Sequence, residues 1–301
     1  MKTTDIHIRD PFILAEDGTY FLYSQTGNRD ENASRGVEVR TSRDLKNWDA
    51  PQTVMRAPKG TEAVWAPEVH AHNGAYYLFV TLTFSEILGK PPVDAPDWMP
   101  LQKRGVWIFR AASPLGPFLP LRDGPHTPPE WMALDGTPFF EDGVASMAFC
   151  HEWVQIVEGT MDLVRLSDDL SAPVGEPAVL FKAGDAPGAI IDPRKGKVTD
   201  APFFYRSPRT GRLFMTWSTF IPGNGYCAFQ TQSQSGRVAG PWGAHAPLYT
   251  GDGGHGMLFT DFNGRLLLAL HQPNNDPLER LHLFEVRETQ AGLEIAGEIE
   301  P

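Results

Sequence analysis

Carboxylate side chains recur in this sequence at the start of similar short segments. Asp10 lies in Arg-Asp-Pro-Phe, Asp135 in Asp-Gly-Thr-Pro-Phe-Phe and Asp200 in Asp-Ala-Pro-Phe-Phe, and a related Trp-Ala-Pro-Glu segment ends at Glu68. Carboxyl groups gathered in one pocket suit glycoside hydrolysis, in which an ionised carboxylate acts as base and a protonated carboxyl donates to the leaving oxygen. Mutual repulsion in a partly dry pocket separates their pKa values and so gives them different roles.

Aspartates near turns also have a purely structural role, because their side chains accept hydrogen bonds from nearby backbone N–H groups. That role would account for any one of the three aspartates. Strand propensity disfavours aspartate, however, so three aspartates at equivalent segment starts are better explained by a shared pocket. We therefore treat Asp10, Asp135 and Asp200 as candidate catalytic residues.

Each acid-containing segment opens a unit that reads as a β-hairpin. A turn with glycine follows, and then an aromatic or aliphatic run, as in residues 73–79 with the sequence Asn-Gly-Ala-Tyr-Tyr-Leu-Phe. A fifth unit, around residues 254–270, keeps this order without the acid. Five such units predict an all-β fold, a five-bladed β-propeller, with residues 1–301 forming a single catalytic domain.

The predicted fold brings the acids together. The innermost strand of each propeller blade begins near the central axis, so acids at the starts of these strands meet in one pocket although they are far apart in sequence. Two segments interrupt the repeat, residues 86–103, which are rich in proline, and residues 182–197, which are rich in glycine, proline and aspartate. We expect both to be surface loops that line one face of the propeller.

The motifs resemble those of glycoside hydrolase family 43, whose five-bladed propellers carry Arg-Asp-Pro, Trp-Ala-Pro, an aspartate and an acid-Gly-Pro in the first four blades. The resemblance covers nearly the whole chain and includes the Gly-His-Gly around His255. It implies an inverting mechanism in which Asp10 is the general base and Asp135 orients the acid and raises its pKa.

The proton donor departs from the family pattern. The family usually has glutamate in the fourth blade, where this chain has Asp200, whose side chain is one methylene shorter. Asp200 remains the first candidate for the acid. Glu152, which follows an apolar strand of the third blade and lies between His151 and Trp153, is the second candidate.

Sugar rings present C–H faces that pack on aromatic side chains, so aromatic residues beside the acids are candidate substrate contacts. Trp65 is the strongest of these, although core packing is the alternative for any aromatic residue. His271 and Arg280, near the end of the chain, resemble a histidine and an arginine of the family. An arginine there would supply forked hydrogen-bond donors to sugar hydroxyls. The candidate substrate-binding residues are Trp65, Glu68, Trp153, Phe203, His271 and Arg280.

The resemblance also associates the fifth-blade His255 with a water-coordinated calcium ion in the axial cavity. Calcium prefers oxygen ligands, so tight packing of a histidine between glycines is the alternative. A structural calcium near His255 is thus an expectation of the resemblance, and the sequence indicates no cofactor that the reaction requires.

The composition excludes several partners. The 301 residues carry a formal charge of -11, with 26 basic and 37 acidic residues, which argues against nucleic acid or an anionic membrane surface and favours a small neutral oligosaccharide. Residues 1–7 lack the apolar run of a secretory signal and no segment has the apolar length of a membrane helix, so we expect a cytoplasmic protein. The sequence does not predict the oligomeric state.

The leading hypothesis is an exo-acting glycosidase for short β-xylosides or α-L-arabinofuranosides. The alternative is a carbohydrate-binding propeller without catalysis, because Asp200 stands where the resemblance expects glutamate. A protein-interaction propeller is disfavoured, since its repeats are regular and about forty residues long.

Overall fold

The structure, a computed structural model, describes residues 1–27, 34–95, 98–189 and 197–299. The strands of these residues form five four-stranded antiparallel sheets, and each sheet uses four strands that are consecutive in the chain. The innermost strands are neighbours around a ring, in which the first blade also contacts the fifth. The predicted five-bladed β-propeller is therefore confirmed.

Blade I contains β1 (Phe12–Glu16), β2 (Thr19–Thr26), β3 (Gly36–Ser42) and β4 (Gln52–Arg56). Blade II contains β5 (Thr61–His72), β6 (Ala75–Gly89), β7 (Leu101–Ala111) and β8 (Leu119–Pro120). Blade III contains β9 (Ala133–Glu141), β10 (Val144–His151), β11 (Thr160–Leu166) and β12 (Pro173–Lys182). Blade IV contains β13 (Asp200–Arg206), β14 (Leu213–Ile221), β15 (Gly225–Gln232) and β16 (Ala246–Tyr249), and blade V contains β17 (Gly254–Thr260), β18 (Leu266–Gln272), β19 (Arg280–Glu288) and β20 (Leu293–Glu298).

The predicted turns join the first two strands of three blades. Each is a two-residue turn whose residues both have positive φ, the combination that favours aspartate or asparagine followed by glycine. These pairs are Asp17 and Gly18, Asn73 and Gly74, and Asp142 and Gly143. The turn chemistry readable in the sequence therefore sets the register of the first hairpin in blades I, II and III.

The core lies between the blades. Trp217 of β14 is fully buried, and its ring lies 5.2 Å from that of Phe181 in blade III and 5.7 Å from that of Phe229 in its own blade. Such contacts bury the inner faces of neighbouring sheets, so the ring needs no separate core. The one α-helix among the described residues is a single turn, α1 (Trp153–Ile156), and none of their helices is long and apolar enough to cross a membrane.

Each blade has one residue with a strained backbone conformation at or just before its innermost strand, near the axis. It has a positive φ of 46° to 56° in every blade, and the ladder to the second strand is irregular nearby in blades II to V. The five residues, in blade order, are Asp10, Ala66, Asp135, Ala201 and His255. Asp200 lies one residue before this position, so the prediction that it occupies the same blade position as the other two aspartates is wrong.

This position links neighbouring blades. The backbone N–H of Asp135 donates to the Thr81 hydroxyl of blade II, and that of His255 donates to the Ser218 hydroxyl of blade IV. The N–H of Asp10 in turn donates to His271 Nδ1 of blade V at 3.3 Å. Residues at the axis are thus held by the blade that precedes them in the ring.

The two predicted loops are only partly loops. The first, residues 86–103, includes the last residues of β6 and the first residues of β7. These residues pair as a hairpin that extends beyond the blade. Its residues 96 and 97 lie outside the described residues. The second, residues 182–197, contains a short 3-10 helix, Ala183–Asp185, and its residues 190–196 also lie outside the described residues.

Candidate active site

A pocket of about 690 Å³ opens at one end of the axis, a volume typical of small-molecule sites. Its walls include residues from all five blades. Seven residues predicted from the sequence lie in it together: Asp10, Trp65, Asp135, Glu152, Trp153, Asp200 and His255.

Asp10 is buried in the pocket, and its carboxyl group lies near His255, His271 and Arg9. His255 Nδ1 lies 3.1 Å from its Oδ1, and Arg9 Nε lies 3.8 Å from the same oxygen. Burial disfavours the charged carboxylate, but the nearby His255 and Arg9 outweigh burial and hold the pKa of Asp10 well below its usual range. Asp10 is therefore ionised at neutral pH.

His255 is the cation of this group. Its Nδ1 also lies 3.9 Å from Asp135 Oδ2. Burial alone would lower the pKa of this imidazole, but the charges of Asp10 and Asp135 raise it to about 9. His255 is therefore an imidazolium between two carboxyl groups.

Asp135 accepts a hydrogen bond from the backbone N–H of Ala201 at 3.0 Å. Ala201 directly follows Asp200, so this contact ties the third-blade carboxyl to the backbone beside the fourth-blade carboxyl. Burial raises the pKa of Asp135 to about 6, with His255 opposing the rise and Asp10 adding to it. The position matches the orienting role that the family resemblance assigns to Asp135.

Asp200 is the least acidic of the three. Burial, and then the charge of Asp135, raise its pKa to about 8. The hydroxyl of Tyr226 lies 3.1 Å from its Oδ2. At neutral pH Asp200 is mainly a protonated carboxyl group in the pocket that also holds the ionised Asp10, which is the pairing that general acid–base hydrolysis needs.

Glu152 is held differently. It forms an ion pair with the buried Arg104, which also donates from Nε to the Thr83 hydroxyl at 2.9 Å. Burial raises the pKa of Glu152, and the ion pair opposes this rise. Since breaking such a buried pair is costly, the carboxylate of Glu152 is committed to Arg104.

We expect Glu152→Gln to lower the melting temperature, because it leaves the buried Arg104 without its charged partner. The folded variant should retain hydrolysis within about tenfold, because Glu152 does not transfer a proton. Steady-state kinetics on an aryl glycoside, together with a thermal melt to check folding, measure this. A loss in kcat comparable to that of an Asp200→Asn variant would contradict it and would make Glu152 the proton donor.

Aromatic side chains form one wall of the pocket. The guanidinium of Arg104 lies 4.1 Å from the ring centroid of Trp65, which packs one indole face against a fixed cation. Trp153 lies on α1, and its ring is 5.5 Å from that of Trp98. Met99 continues this wall from the long hairpin of blade II. The wall offers apolar surface to the C–H faces of a sugar.

We expect Trp65→Ala to lower kcat/KM by about fivefold, mainly through KM, since an aromatic stacking partner is worth about 1 kcal/mol. Initial rates over a range of substrate concentrations separate the two constants. Trp65→Phe should recover most of the loss. Trp242, whose ring packs against Phe204 outside the pocket, supplies the control variant Trp242→Ala, and an equal loss there would refute a stacking role.

The opposite wall is charged and was not predicted. His7 Nε2 lies 3.2 Å from Glu279 Oε2 and 3.6 Å from Asp276 Oδ1. Arg9 donates to the other oxygen of Glu279 at 3.1 Å. These side chains offer hydrogen-bond donors and acceptors to sugar hydroxyls across from the aromatic wall.

Two predicted substrate contacts lie below the pocket, around the axis. Glu68 bonds to His70 at 2.8 Å, and it lines a small axial cavity. The ring of Phe203 lies 6.3 Å from that of Phe12, a residue of the non-adjacent blade I, so it fills the axis. Each of these residues lies two positions after the strained residue of its blade. Their side chains point away from the pocket.

The other two predicted contacts support pocket residues from behind. His271 is fully buried, and its pKa is lowered to about 4 by burial, so it is neutral and accepts the N–H of Asp10. Arg280 donates to the backbone oxygens of Pro277 and Glu279 and does not line the pocket. The charged residue that enters the pocket there is its neighbour Glu279.

The residues around His255 test the expected calcium site. Nδ1 of His255 carries a proton toward Asp10 and Asp135, so this atom has no lone pair for a metal. In the part of the chain that the structure describes, His255 belongs to no group of three side chains that could hold an ion. A calcium ion at His255 would therefore take most of its ligands from water, as the resemblance implies, and no catalytic step is assigned to it.

Residues 4–290 match the description of glycosyl hydrolases family 43. The chain belongs to glycosyl hydrolase family 43. As a family 43 protein it is a glycoside hydrolase, and its substrate is a carbohydrate.

Among similar solved structures, the endo-arabinase from Bacteroides thetaiotaomicron VPI-5482 is 34% identical, with a TM-score of 0.81 over 96% of this chain and 98% of that one. The α-L-arabinofuranosidase from Lactobacillus brevis shares the fold at 17% identity, with a TM-score of 0.75 over 99% and 96% of the two chains. A probable arabinan endo-1,5-alpha-L-arabinosidase B from Aspergillus fumigatus is 34% identical over 88 residues, which are 27% of this chain and 22% of that protein. This last match spans about a fifth of that relative.

Besides His7, Asp276 and Glu279, three residues beside the acids of this family 43 site were missed from the sequence: Arg9, Arg104 and Tyr226. Arg9 was inside a quoted motif, and its place beside Asp10 was a usable signal. Arg104 and Tyr226 lie on the third strands of blades II and IV, in segments without the acid and proline pattern. Their approach to the acids depends on strand pairing, which the sequence does not display.

Proposed function

We propose that the chain hydrolyses α-L-arabinofuranosidic bonds of arabino-oligosaccharides by an inverting mechanism. The observation that carries the reaction type is that Asp10 and Asp200 share one pocket, where the pKa of Asp10 is lowered and that of Asp200 is raised. The sugar preference is supported by the family 43 endo-arabinase that is 34% identical over nearly the whole chain.

In the proposed reaction Asp10 takes a proton from water, and the oxygen of that water forms a bond to the anomeric carbon as the bond to the leaving oxygen breaks. Asp200 gives its proton to that leaving oxygen. His255 keeps Asp10 ionised, and Asp135 holds the backbone beside Asp200 through the N–H of Ala201. Each buried acid thus has one part in the reaction.

The exo action expected from the sequence and the endo action of the bacterial relative give different products. Linear α-1,5-linked arabino-oligosaccharides of graded length test both. Release of arabinose alone from the start indicates exo action, whereas early mixtures of shorter oligosaccharides indicate endo action. Proton NMR of the first products shows whether the anomeric configuration is inverted.

Matched β-1,4-xylo-oligosaccharides and aryl galactosides test the sugar preference. Faster hydrolysis of these than of the arabinosides would overturn the arabinoside proposal. Binding of arabino-oligosaccharides by calorimetry without turnover of any of these substrates would instead support a propeller that binds carbohydrate without catalysis.

A further inference from the structure

Tyr226 contacts the proposed proton donor, Asp200, and has no role assigned so far. Tyr226 is buried in β15, two strands away from Asp200, and it lines the pocket. Its hydroxyl lies 3.1 Å from Asp200 Oδ2. Burial raises the pKa of the phenol well above its usual value, so the hydroxyl keeps its proton and is available as a donor.

We propose that Tyr226 is a positioning residue for Asp200: its hydroxyl holds Oδ2 and leaves Oδ1 as the oxygen that carries the proton and transfers it to the leaving group. This inference rests on the proposed function. A carboxylic acid has one protonated and one carbonyl-like oxygen, and a donor aimed at one oxygen places the proton on the other.

Contacts to the ring and to the backbone hold Tyr226 in place. It stacks on His271 with a centroid distance of 5.8 Å, and its backbone N–H donates to Asp252 at 3.1 Å. Gly254 packs against the ring, and a Cβ at that position would lie 2.6 Å from a ring carbon. The absence of a side chain at Gly254 therefore lets the ring take its place and sets where the hydroxyl can be.

The same contact gains strength during the reaction. When the proton leaves Oδ1, the leaving oxygen gains it and Asp200 becomes a carboxylate. A hydrogen bond to a charged acceptor is roughly twice as strong as one to a neutral acceptor. Tyr226 thus stabilises the product form of the acid more than the reactant form, which is the differential stabilisation that lowers a barrier.

Tyr226 also bears on the departure from the family pattern. Aspartate is one methylene shorter than glutamate, so it has one fewer torsion with which to place its proton. A fixed donor on Oδ2 removes the remaining rotation about the last bond of Asp200. The shorter acid and the tyrosine therefore form one unit, in which the tyrosine does the aiming.

The test is Tyr226→Phe, which keeps the ring and removes the donor. On arabinosides with a poor leaving group, such as phenyl α-L-arabinofuranoside, we expect kcat to fall by about 10- to 100-fold, as for other contacts of an acid–base group. On the 2,4-dinitrophenyl arabinoside, whose leaving group needs little proton donation, we expect a loss below about threefold. The basic limb of the pH profile should move upward, because removal of the donor disfavours ionised Asp200.

Tyr205→Phe is the matched control, since Tyr205 packs on Phe214 outside the pocket, and it should leave both rates and the limb unchanged. Equal losses on both leaving groups with an unmoved limb would overturn the proposal and make Tyr226 a packing residue.

A titration separates this proposal from the proposed function. Carbon-13 NMR of labelled aspartate carboxyl groups in the wild type and in Tyr226→Phe follows Asp200 without turnover. An upward move of its midpoint in the variant supports the contact even if no arabinoside is hydrolysed, in which case only the proposed function fails. An unmoved midpoint overturns the role of Tyr226 whatever the activity.

Discussion

Replacement of Asp10 by asparagine is expected to lower kcat/KM on arabino-oligosaccharides by about 10²–10⁴-fold, the usual contribution of a general base. Asparagine keeps the size of the side chain but cannot take the proton from water. It also removes the negative charge that raises the pKa of His255. Progress curves for wild type and variant at equal concentrations measure the loss.

Asp17→Asn is the matched control for this change. Asp17 has a positive φ as Asp10 does, but it lies in the first turn of blade I, where asparagine is equally favourable. It should keep full activity and an unchanged melting temperature. An Asp10→Asn enzyme that retained more than a tenth of the wild-type rate would contradict the base assignment.

Replacement of Asp200 by asparagine is expected to cost about 10²–10⁴-fold on oligosaccharides and far less on the 2,4-dinitrophenyl arabinoside. The acid is needed only when the leaving oxygen requires a proton. In the wild type kcat/KM should fall as the pH rises through about 8, because the pKa of Asp200 is raised to about 8 and the active form is protonated. The variant should lack this limb.

Comparison with the Glu152→Gln variant distinguishes Asp200 from Glu152 as the proton donor. Both changes remove a carboxyl group from the same pocket and leave an amide of equal size. Only the loss of the proton donor should depend on the leaving group. If the basic limb persists in Asp200→Asn and disappears in Glu152→Gln, the assignment of the two carboxyl groups must be exchanged.

The architecture and the meeting of the three aspartates in one pocket could be predicted from the sequence. The Asx-Gly turns and the runs that follow them determine local hairpins, and their fivefold repetition leaves few folds other than a ring. Asp10 and Asp135 precede these hairpins directly, so their location near the axis follows from the same pattern.

The rest depended on contacts that the sequence pattern does not show. Asp200 lies one residue before the strained position, and a single residue on a strand changes the face to which a side chain points. Glu68 and Phe203 each lie two residues after the strained position, where the pairing with the second strand shifts register, so strand alternation alone did not place them. Tyr226 meets Asp200 only through the pairing of three strands.

The hydrogen bond from the Asp10 N–H to His271 has a consequence for inactivation. It joins blade I to blade V, so the general base is bonded across the boundary between the first and the last blade. If blades I and V separated, the base would leave its imidazole and imidazolium neighbours while blades II to IV kept their own packing. Catalysis in this enzyme therefore depends on contact between the first and the last blade.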